Sequence, residues 1–310
     1  MLQNLIIILD DTSLPFCCYE NPMTQRRLMA IEILREGILF ALKENLSVQV
    51  IYPDYQIPLE YEDELRKIDH LKISEHQSNK EAVCLIKWDT PFSDFISDGI
   101  YILRTNKDNL FKNYSQLVKI IAKVKKLNLI ITDVESFTKK DFEQYQDILS
   151  DISSEVLELF NRGIVPNLNV LTDRLYLSAM NNCNAGEDSI TLAPNGKFYI
   201  CPAFYHNSEY SIGDTKSGLN ILNSRLYQYK YAPICNKCDA FHCKHCIWLN
   251  YATTYEVNTP SHEQCYLSHV ERNASMELLK SLKKLGVPLV QGITIDKIDY
   301  IDPFDKIKKL

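Results

Sequence analysis

Residues 235–246 read CNKCDAFHCKHC, which places four cysteines in twelve positions with the spacing C-x2-C-x4-C-x2-C. Two residues between a pair of cysteines let the backbone curl around one metal, so that both thiolates can bind it. The surrounding chain is aromatic and lacks a helical or strand period. We therefore expect bound metal, rather than an apolar core, to hold this segment together.

Three more cysteines flank this stretch. Cys183 and Cys201 precede it, with Gly196 five positions before Cys201, and Cys265 follows it. Seven of the ten cysteines of the chain thus fall between residues 183 and 265. The predicted metal ligands are Cys183, Cys201, Cys235, Cys238, Cys243, Cys246 and Cys265.

Three chemistries compete for these cysteines, and the spacing favours the first. Iron–sulfur cubanes take four thiolates each, so seven would fill one cluster and leave a second with three. A structural zinc could use the two cysteine pairs or His242 and His245, but four residues between the pairs is far below the roughly 15–20 of a zinc ribbon. Dithiol redox chemistry needs one C-x2-C and gives the other cysteines no role.

The first half of the chain alternates short apolar runs with helical patterns. This alternation predicts an α/β fold with parallel strands, either a partial β/α barrel of the TIM type or an open doubly wound sheet. The predicted strands are 5–9, 48–52, 71–73, 83–86, 100–103 and 127–131, and the predicted helices are 26–44, 60–68, 114–125 and 140–161.

The pattern changes near residue 166. Residues 169–180 are compatible with one or two further strands, and residues 188–201 predict a β-hairpin that turns at Asn195-Gly196. Met276–Leu285 predicts a final helix capped by Gly286. We expect a β/α domain over 1–165, a small loop-rich, cysteine-dense domain over 166–270, and a C-terminal helix and tail over 271–310.

Composition excludes several classes of function. The net charge of the 310 residues is −6 and the lysines are scattered, so nothing predicts nucleic-acid binding. No apolar run reaches the roughly 18 residues of a membrane span. Clustered cysteines without a signal peptide indicate metal ligands in a reducing compartment, so we expect a cytoplasmic location.

The order C-x12-G-x4-C, C-x2-C-x4-C-x2-C, C resembles the SPASM domain, which binds auxiliary iron–sulfur clusters in radical S-adenosylmethionine (SAM) peptide-modifying enzymes. The usual central run is C-x2-C-x5-C-x3-C, so this chain is one residue short in two places. The resemblance covers residues 183–265, and the first half only in general architecture. It implies two 4Fe–4S clusters, the first on Cys183, Cys201 and Cys246, and the second on Cys235, Cys238, Cys243 and Cys265.

The departure from that family lies after the first predicted strand. Radical SAM enzymes carry C-x3-C-x2-C there, whereas this chain reads LDDTSLPFCCYENP over residues 9–22. Only the adjacent Cys17 and Cys18 remain as candidate catalytic residues, beside Asp10, Asp11 and Glu20. The missing motif argues against cleavage of S-adenosylmethionine by this chain.

A shortened chain with LDDTS and FCCYENP resembles, more narrowly, the CXXX repeat peptide maturases. That resemblance implies maturation of a ribosomally made precursor peptide with regularly spaced cysteines, with thioether cross-linking at cysteine as the reaction. One alternative is a non-catalytic partner that binds the peptide or passes electrons to a companion radical SAM enzyme or from a reductant protein. The other is a zinc-stabilised interaction protein.

Overall fold

The computed structural model describes residues 2–75, 82–207 and 210–295. Its centre is an eight-stranded sheet in the order β6-β5-β4-β3-β2-β1-β7-β8. Strands β1 to β7 run parallel, and β8 pairs antiparallel with β7. The strands are β1 (Asn4–Ile8), β2 (Ser47–Ile51), β3 (His70–Ser74), β4 (Ala82–Ile86), β5 (Ile100–Thr105), β6 (Lys126–Ile131), β7 (Ser189–Leu192) and β8 (Phe198–Tyr199).

Some helices connect the strands of the sheet, and others come after its last strand in the chain. They are α1 (Ile31–Lys43), α2 (Leu59–Leu65), α3 (Lys107–Asn113), α4 (Ser115–Ile121), α5 (Lys139–Asn161), α6 (Asp173–Tyr176), α7 (Pro202–Asn207), α8 (Ile247–Thr254) and α9 (His262–Lys284). A two-stranded hairpin, β9 (Gly213–Asp214) and β10 (Gly218–Leu219), lies between α7 and α8. None of the helices in the described residues has the length and apolarity needed to cross a bilayer.

The predicted α/β class and all six predicted strands of the first half are confirmed. In β1, Leu5, Ile7 and Ile8 are fully buried, as expected for a parallel strand covered on both faces. The long helix α5 begins at a capping box, in which the Thr138 hydroxyl accepts from Asp141 N–H and the Asp141 carboxylate accepts from Thr138 N–H.

The predicted hairpin is also confirmed. Leu192 pairs with Phe198, and Gly196 N–H donates to the Ala193 carbonyl oxygen over 2.9 Å. Gly196 has φ +78°, a left-handed backbone that glycine adopts without steric cost. The turn therefore sets the register that brings Cys201 to its position directly after β8.

Two expectations for the second half were wrong. Residues 169–180 follow an isolated bridge between Leu127 and Leu168 and contain the short helix α6 but no strand. The last helix begins at His262 rather than Met276, because the Ser261 hydroxyl caps it by accepting from Gln264 N–H. Gly286, at φ +74°, ends it as predicted.

Candidate metal centre

A cavity of about 450 Å³ lies between the sheet and the cysteine-rich segment. Side chains from β1, β2, β5 and β6 line one side, among them Asn4, Ile6, Gln49 and Asn128. Six cysteines line the same cavity, and they come from three distant parts of the sequence: Cys17, Cys18, Cys183, Cys201, Cys243 and Cys246.

The first group of predicted ligands, Cys183, Cys201 and Cys246, meets at this cavity. Cys183 lies in the loop before β7, where its carbonyl oxygen accepts from the Ser189 hydroxyl over 3.1 Å. Burial and the neighbouring thiols of Cys246, Cys17 and Cys183 raise the pKa of Cys201 well above its ordinary value. A raised pKa keeps a thiol protonated, and a bound cation would instead favour the thiolate.

Cys246 is the exception, because its pKa is lowered. The Cys18 thiol donates to it, and the backbone N–H of Leu249 donates to its Sγ atom over 3.5 Å. Cys246 is the N-cap of α8, so its sulfur lies at the positive end of that helix. This environment favours a thiolate, which is the form that binds metal.

The loop after β1 reaches this group as well. The Sγ atoms of Cys18 and Cys246 are 3.0 Å apart although 228 positions separate the two residues. Arg104 on β5 fixes the loop, because Nε donates to the Cys17 carbonyl oxygen and Nη2 to the Tyr19 carbonyl oxygen, both over 2.7 Å. Cys17 and Cys18 therefore lie beside the first ligand group.

The acidic residues of that loop have structural partners. Asp10 is fully buried and accepts from Thr12 N–H and from the Tyr55 hydroxyl, each over 2.8 Å. Asp11 pairs with Arg27 Nε over 2.8 Å and accepts from the Tyr205 hydroxyl. Glu20 pairs with Arg104 over 2.6 Å. These contacts hold the loop in place.

The second group of predicted ligands begins with Cys235, Cys238 and Cys243. Burial and the other two thiols raise the pKa of Cys235, and burial raises the pKa of Cys238 to about 11. Two backbone N–H groups point at these sulfurs: Ala240 N–H donates to Cys238 over 3.4 Å, and His245 N–H donates to Cys243 over 3.5 Å. Such N–H···S bonds stabilise metal-bound thiolates and tune cluster potentials.

Cys265, the last predicted ligand, lies in the first turn of α9. Ser268 and His269 follow it by three and four residues, so all three side chains share one face of the helix. The Ser268 hydroxyl hydrogen-bonds the Cys243 thiol, and His269 Nε2 lies 3.5 Å from Cys238 Sγ. The face of α9 that carries Cys265 thus adjoins the second group.

Asp239 lies among these residues without being a free ligand. Ligand atoms of Cys238, Asp239 and His269 lie within 4.8 Å of one another, a set that would also suit zinc. However, Asp239 Oδ1 accepts from Arg272 Nη1 over 2.7 Å, and both side chains are buried. Because Arg272 already compensates this carboxylate, the donor set that remains is rich in sulfur.

The donor atoms of the seven cysteines fit the ligation of iron–sulfur clusters. The cysteines supply sulfur donors in two groups, in which Cys235 is buried, Cys183 is exposed and the other five are half-buried, and backbone N–H groups point at three of the sulfurs. Soft thiolate sites of this kind select iron–sulfur clusters or zinc over oxygen-seeking cations.

One polar network at the cavity was not predicted from the sequence. Glu271 on α9 accepts from the Tyr145 hydroxyl over 2.8 Å, and His242 Nε2 lies 3.1 Å from its second oxygen. All three side chains are buried, and His242 and Glu271 line the cavity. Their separation in sequence gives no periodic signal; only the position of His242 between Cys238 and Cys243 could have drawn attention to it.

No family model matches this chain, and no curated protein sequence matches it. Among solved structures it is similar to native anSMEcpe with bound AdoMet, with a TM-score of 0.64 and 13% identity over 91% of this chain and 100% of that one. Native anSMEcpe with bound AdoMet and Cp18Cys peptide aligns with a TM-score of 0.62 and 12% identity, over 91% and 99%. Streptococcus suis SuiB bound to precursor peptide SuiA aligns with a TM-score of 0.48 and 12% identity, over 86% and 76%.

The anSMEcpe structures are those of a radical SAM enzyme, and the α/β fold of this chain matches theirs. The sequence identity is low, so the similarity defines the fold. Activity has to be argued from the site.

Proposed function

We propose that this chain is an iron–sulfur protein that acts in the maturation of a ribosomally made peptide with repeated cysteines. The observation that carries the proposal is the arrangement of the cysteines: six of them line one cavity, which the sheet of a radical SAM-type fold closes on its other side. When bound, iron–sulfur clusters supply one-electron transfer and, at an open iron, a thiolate-binding position.

The proposed ligands follow the two groups. Cys183, Cys201 and Cys246 would hold one 4Fe–4S cluster, and Cys235, Cys238, Cys243 and Cys265 the other. Support comes from the N–H···S bonds at Cys238, Cys243 and Cys246, and from the helix N-terminus at Cys246.

The lining of the cavity suits a peptide. Its volume of about 450 Å³ lies in the range of ligand sites and admits a few residues. The amide side chains of Asn4, Gln49 and Asn128 offer donors and acceptors for peptide groups, among apolar neighbours such as Ile6 and Ile102. A cysteine side chain that enters this cavity would approach the first ligand group, and we propose that a thioether forms there. The peptide would lose one S–H and one C–H hydrogen as the C–S bond forms, its two electrons passing one at a time through the clusters to an external electron-acceptor protein and its two protons to solvent.

A second candidate function is a non-catalytic partner that binds the precursor peptide or passes electrons to a companion radical SAM enzyme. One observation favours it. The loop after β1 contains Cys17 and Cys18 in place of C-x3-C-x2-C, and its polar residues are engaged in internal bonds. In this version the residues of the cavity bind and orient the peptide, and the reaction takes place on the companion enzyme.

The first experiment is the content of iron, acid-labile sulfide and zinc per chain after anaerobic purification. We expect about eight irons with equal sulfide, the content of two 4Fe–4S clusters. One zinc and no sulfide would overturn the proposal and leave a zinc-stabilised interaction protein.

The second experiment uses two synthetic peptides, one with cysteine at every fourth residue and one with serine in its place. We expect the iron-loaded protein to bind the cysteine peptide more tightly, and Asn128→Ala to weaken binding. Asn113→Ala, at the end of α3 and outside the lining of the cavity, should not weaken it. Equal failure of both peptides to bind would contradict the peptide assignment. Production of 5′-deoxyadenosine from S-adenosylmethionine by this chain alone would favour the enzyme over the partner.

A further inference from the structure

The first ligand group has three cysteines, which is one short of a fully thiolate-bound 4Fe–4S cluster. Its second cysteine, Cys201, lies directly after β8, and its third, Cys246, at the start of α8. The loop after β1 enters the same cavity from the other end of the chain and adds Cys17 and Cys18 to its wall. Five thiols therefore line the part of the cavity where the sequence predicted three cluster ligands.

The contacts of the two added thiols are specific. Cys18 Sγ lies 3.0 Å from Cys246 Sγ and donates a hydrogen bond to it. Cys17 is close enough to influence Cys183 and Cys201 electrostatically. Between them, the adjacent pair approaches all three cysteines of the first group.

The backbone around the pair is fixed on both sides. Arg104 binds the carbonyl oxygens of Cys17 and Tyr19, both over 2.7 Å. The Tyr19 ring is 1% exposed and stacks on His206 with the ring centroids 5.5 Å apart. Asn21 then donates to the carbonyl oxygens of Asp11 and Ser13. The pair is thus held at the cavity before any ligand binds, which lowers the entropic cost of ligation.

Histidines are the alternative source of a fourth ligand. His206 is buried, but it is absent from the described lining of the cavity. His245 lines the cavity, yet its ring packs edge-on against Tyr229 at 5.8 Å, and the Tyr229 hydroxyl binds the Cys235 carbonyl oxygen of the second group. Neither ring has a contact with a first-group sulfur comparable to that of Cys18.

We propose that the Cys17–Cys18 pair supplies the fourth thiolate of the first cluster, together with Cys183, Cys201 and Cys246. One thiol of the pair loses its proton to solvent as it binds iron, and no electron moves in this step. The inference rests on the proposed function, because it needs the clusters. It refines that function, since a cluster with four protein thiolates has no open iron for a substrate cysteine and serves electron transfer.

The test compares the double variant C17S/C18S with wild type after anaerobic reconstitution. Cys84→Ser is the matched control, because Cys84 is a buried thiol on β4 whose Sγ atom donates to the Glu75 carbonyl oxygen, away from the cavity. A cubane held by three thiolates loses its unprotected iron on mild oxidation with ferricyanide, and electron paramagnetic resonance detects the resulting 3Fe–4S species. We expect this signal in C17S/C18S and its absence in wild type and Cys84→Ser.

A second measurement needs no variant. Native alkylation of the wild-type protein with iodoacetamide, read by mass spectrometry, should leave one thiol of the pair protected until iron is chelated. A strong 3Fe–4S signal in oxidised wild type, an unchanged C17S/C18S, or rapid alkylation of both thiols in the iron-loaded protein would overturn the inference. Absence of iron from wild type would instead overturn the proposed function itself.

Discussion

Arg272 on α9 donates from Nη1 to Asp239 Oδ1 over 2.7 Å, and the two side chains are only 1% and 3% exposed. Asp239 directly follows Cys238, and its carbonyl oxygen accepts from Arg174 Nε over 2.7 Å. Two arginines therefore hold the loop between Cys238 and Cys243 in place, and one of them precedes this loop in the sequence while the other follows it. The loop that carries two of the second group of predicted ligands, Cys238 and Cys243, thus depends on α9 for its shape.

Arg272→Met should be strongly destabilising, because it leaves the Asp239 carboxylate buried without its partner. Loss of one member of a buried pair costs about 3–5 kcal/mol. The control is Lys280→Met, which removes an exposed pair with Glu277 and should change the free energy of unfolding by less than about 0.5 kcal/mol. Anaerobic urea unfolding measures both. Equal, small effects would mean that the Arg272–Asp239 pair does not hold the loop.

Tyr145→Phe tests the polar network at the cavity. The Tyr145 hydroxyl is buried and donates to Glu271 over 2.8 Å, so its loss leaves a buried carboxylate oxygen without that donor. We expect the free energy of unfolding to fall by about 1–3 kcal/mol. Tyr114→Phe removes a bond of the same length, to Asp151, on the exposed surface, and should cost less than about 0.5 kcal/mol. The prediction fails if the two variants are equally stable.

Much of the fold could be predicted because it depends on local patterns. Apolar runs such as Leu5–Leu9 marked the strands, and Pro194-Asn195-Gly196 marked the hairpin turn that carries Cys201. The start of α9 was missed although Ser261-x-x-Gln264 is a recognisable cap sequence, because the first turn of this helix contains Cys265 and so resembles the end of the cysteine-rich loop.

The sequence alone suggests which cysteines belong to each group of predicted ligands, but it does not show how they are arranged in space. The proximity of Cys18 to Cys246 depends on where β1 and α8 lie in the finished fold, and no spacing encodes a contact across 228 positions. The same holds for Tyr145, Glu271 and His242, which act together only because α5 and α9 are neighbours.

Gly213→Ala should be far more harmful than Gly218→Ala in the small hairpin that follows α7. Both glycines have positive φ, +132° and +80°, so alanine strains each backbone by about 1–2 kcal/mol. At Gly213 an added Cβ would also lie 2.0 Å from the Gly218 carbonyl oxygen, whereas at Gly218 it meets open space. Thermal unfolding of the two variants would show this difference, and a milder effect at Gly213 would contradict it.

His206 should make the stability of the protein depend on pH below neutrality. Burial lowers the pKa of His206 from 6.5 to about 4, so the unfolded chain binds a proton before the folded one as the pH falls. The contribution of neutral His206 is complete above about pH 6.5 and is lost as the pH falls toward 4, by at most about 1.4 kcal/mol per pH unit.

His206→Phe keeps a ring to stack on Tyr19 but cannot be protonated. We compare the free energies of unfolding of the iron-loaded proteins at pH 7 and 5.5, where other titrating groups are common to both. Between pH 7 and pH 5.5, the free energy of unfolding of wild type should fall by about 1 kcal/mol more than that of His206→Phe. Parallel losses in the two proteins would show that His206 takes up its proton equally in the folded and unfolded states. The buried ring that packs over the Cys17–Cys18 loop would then be open to solvent.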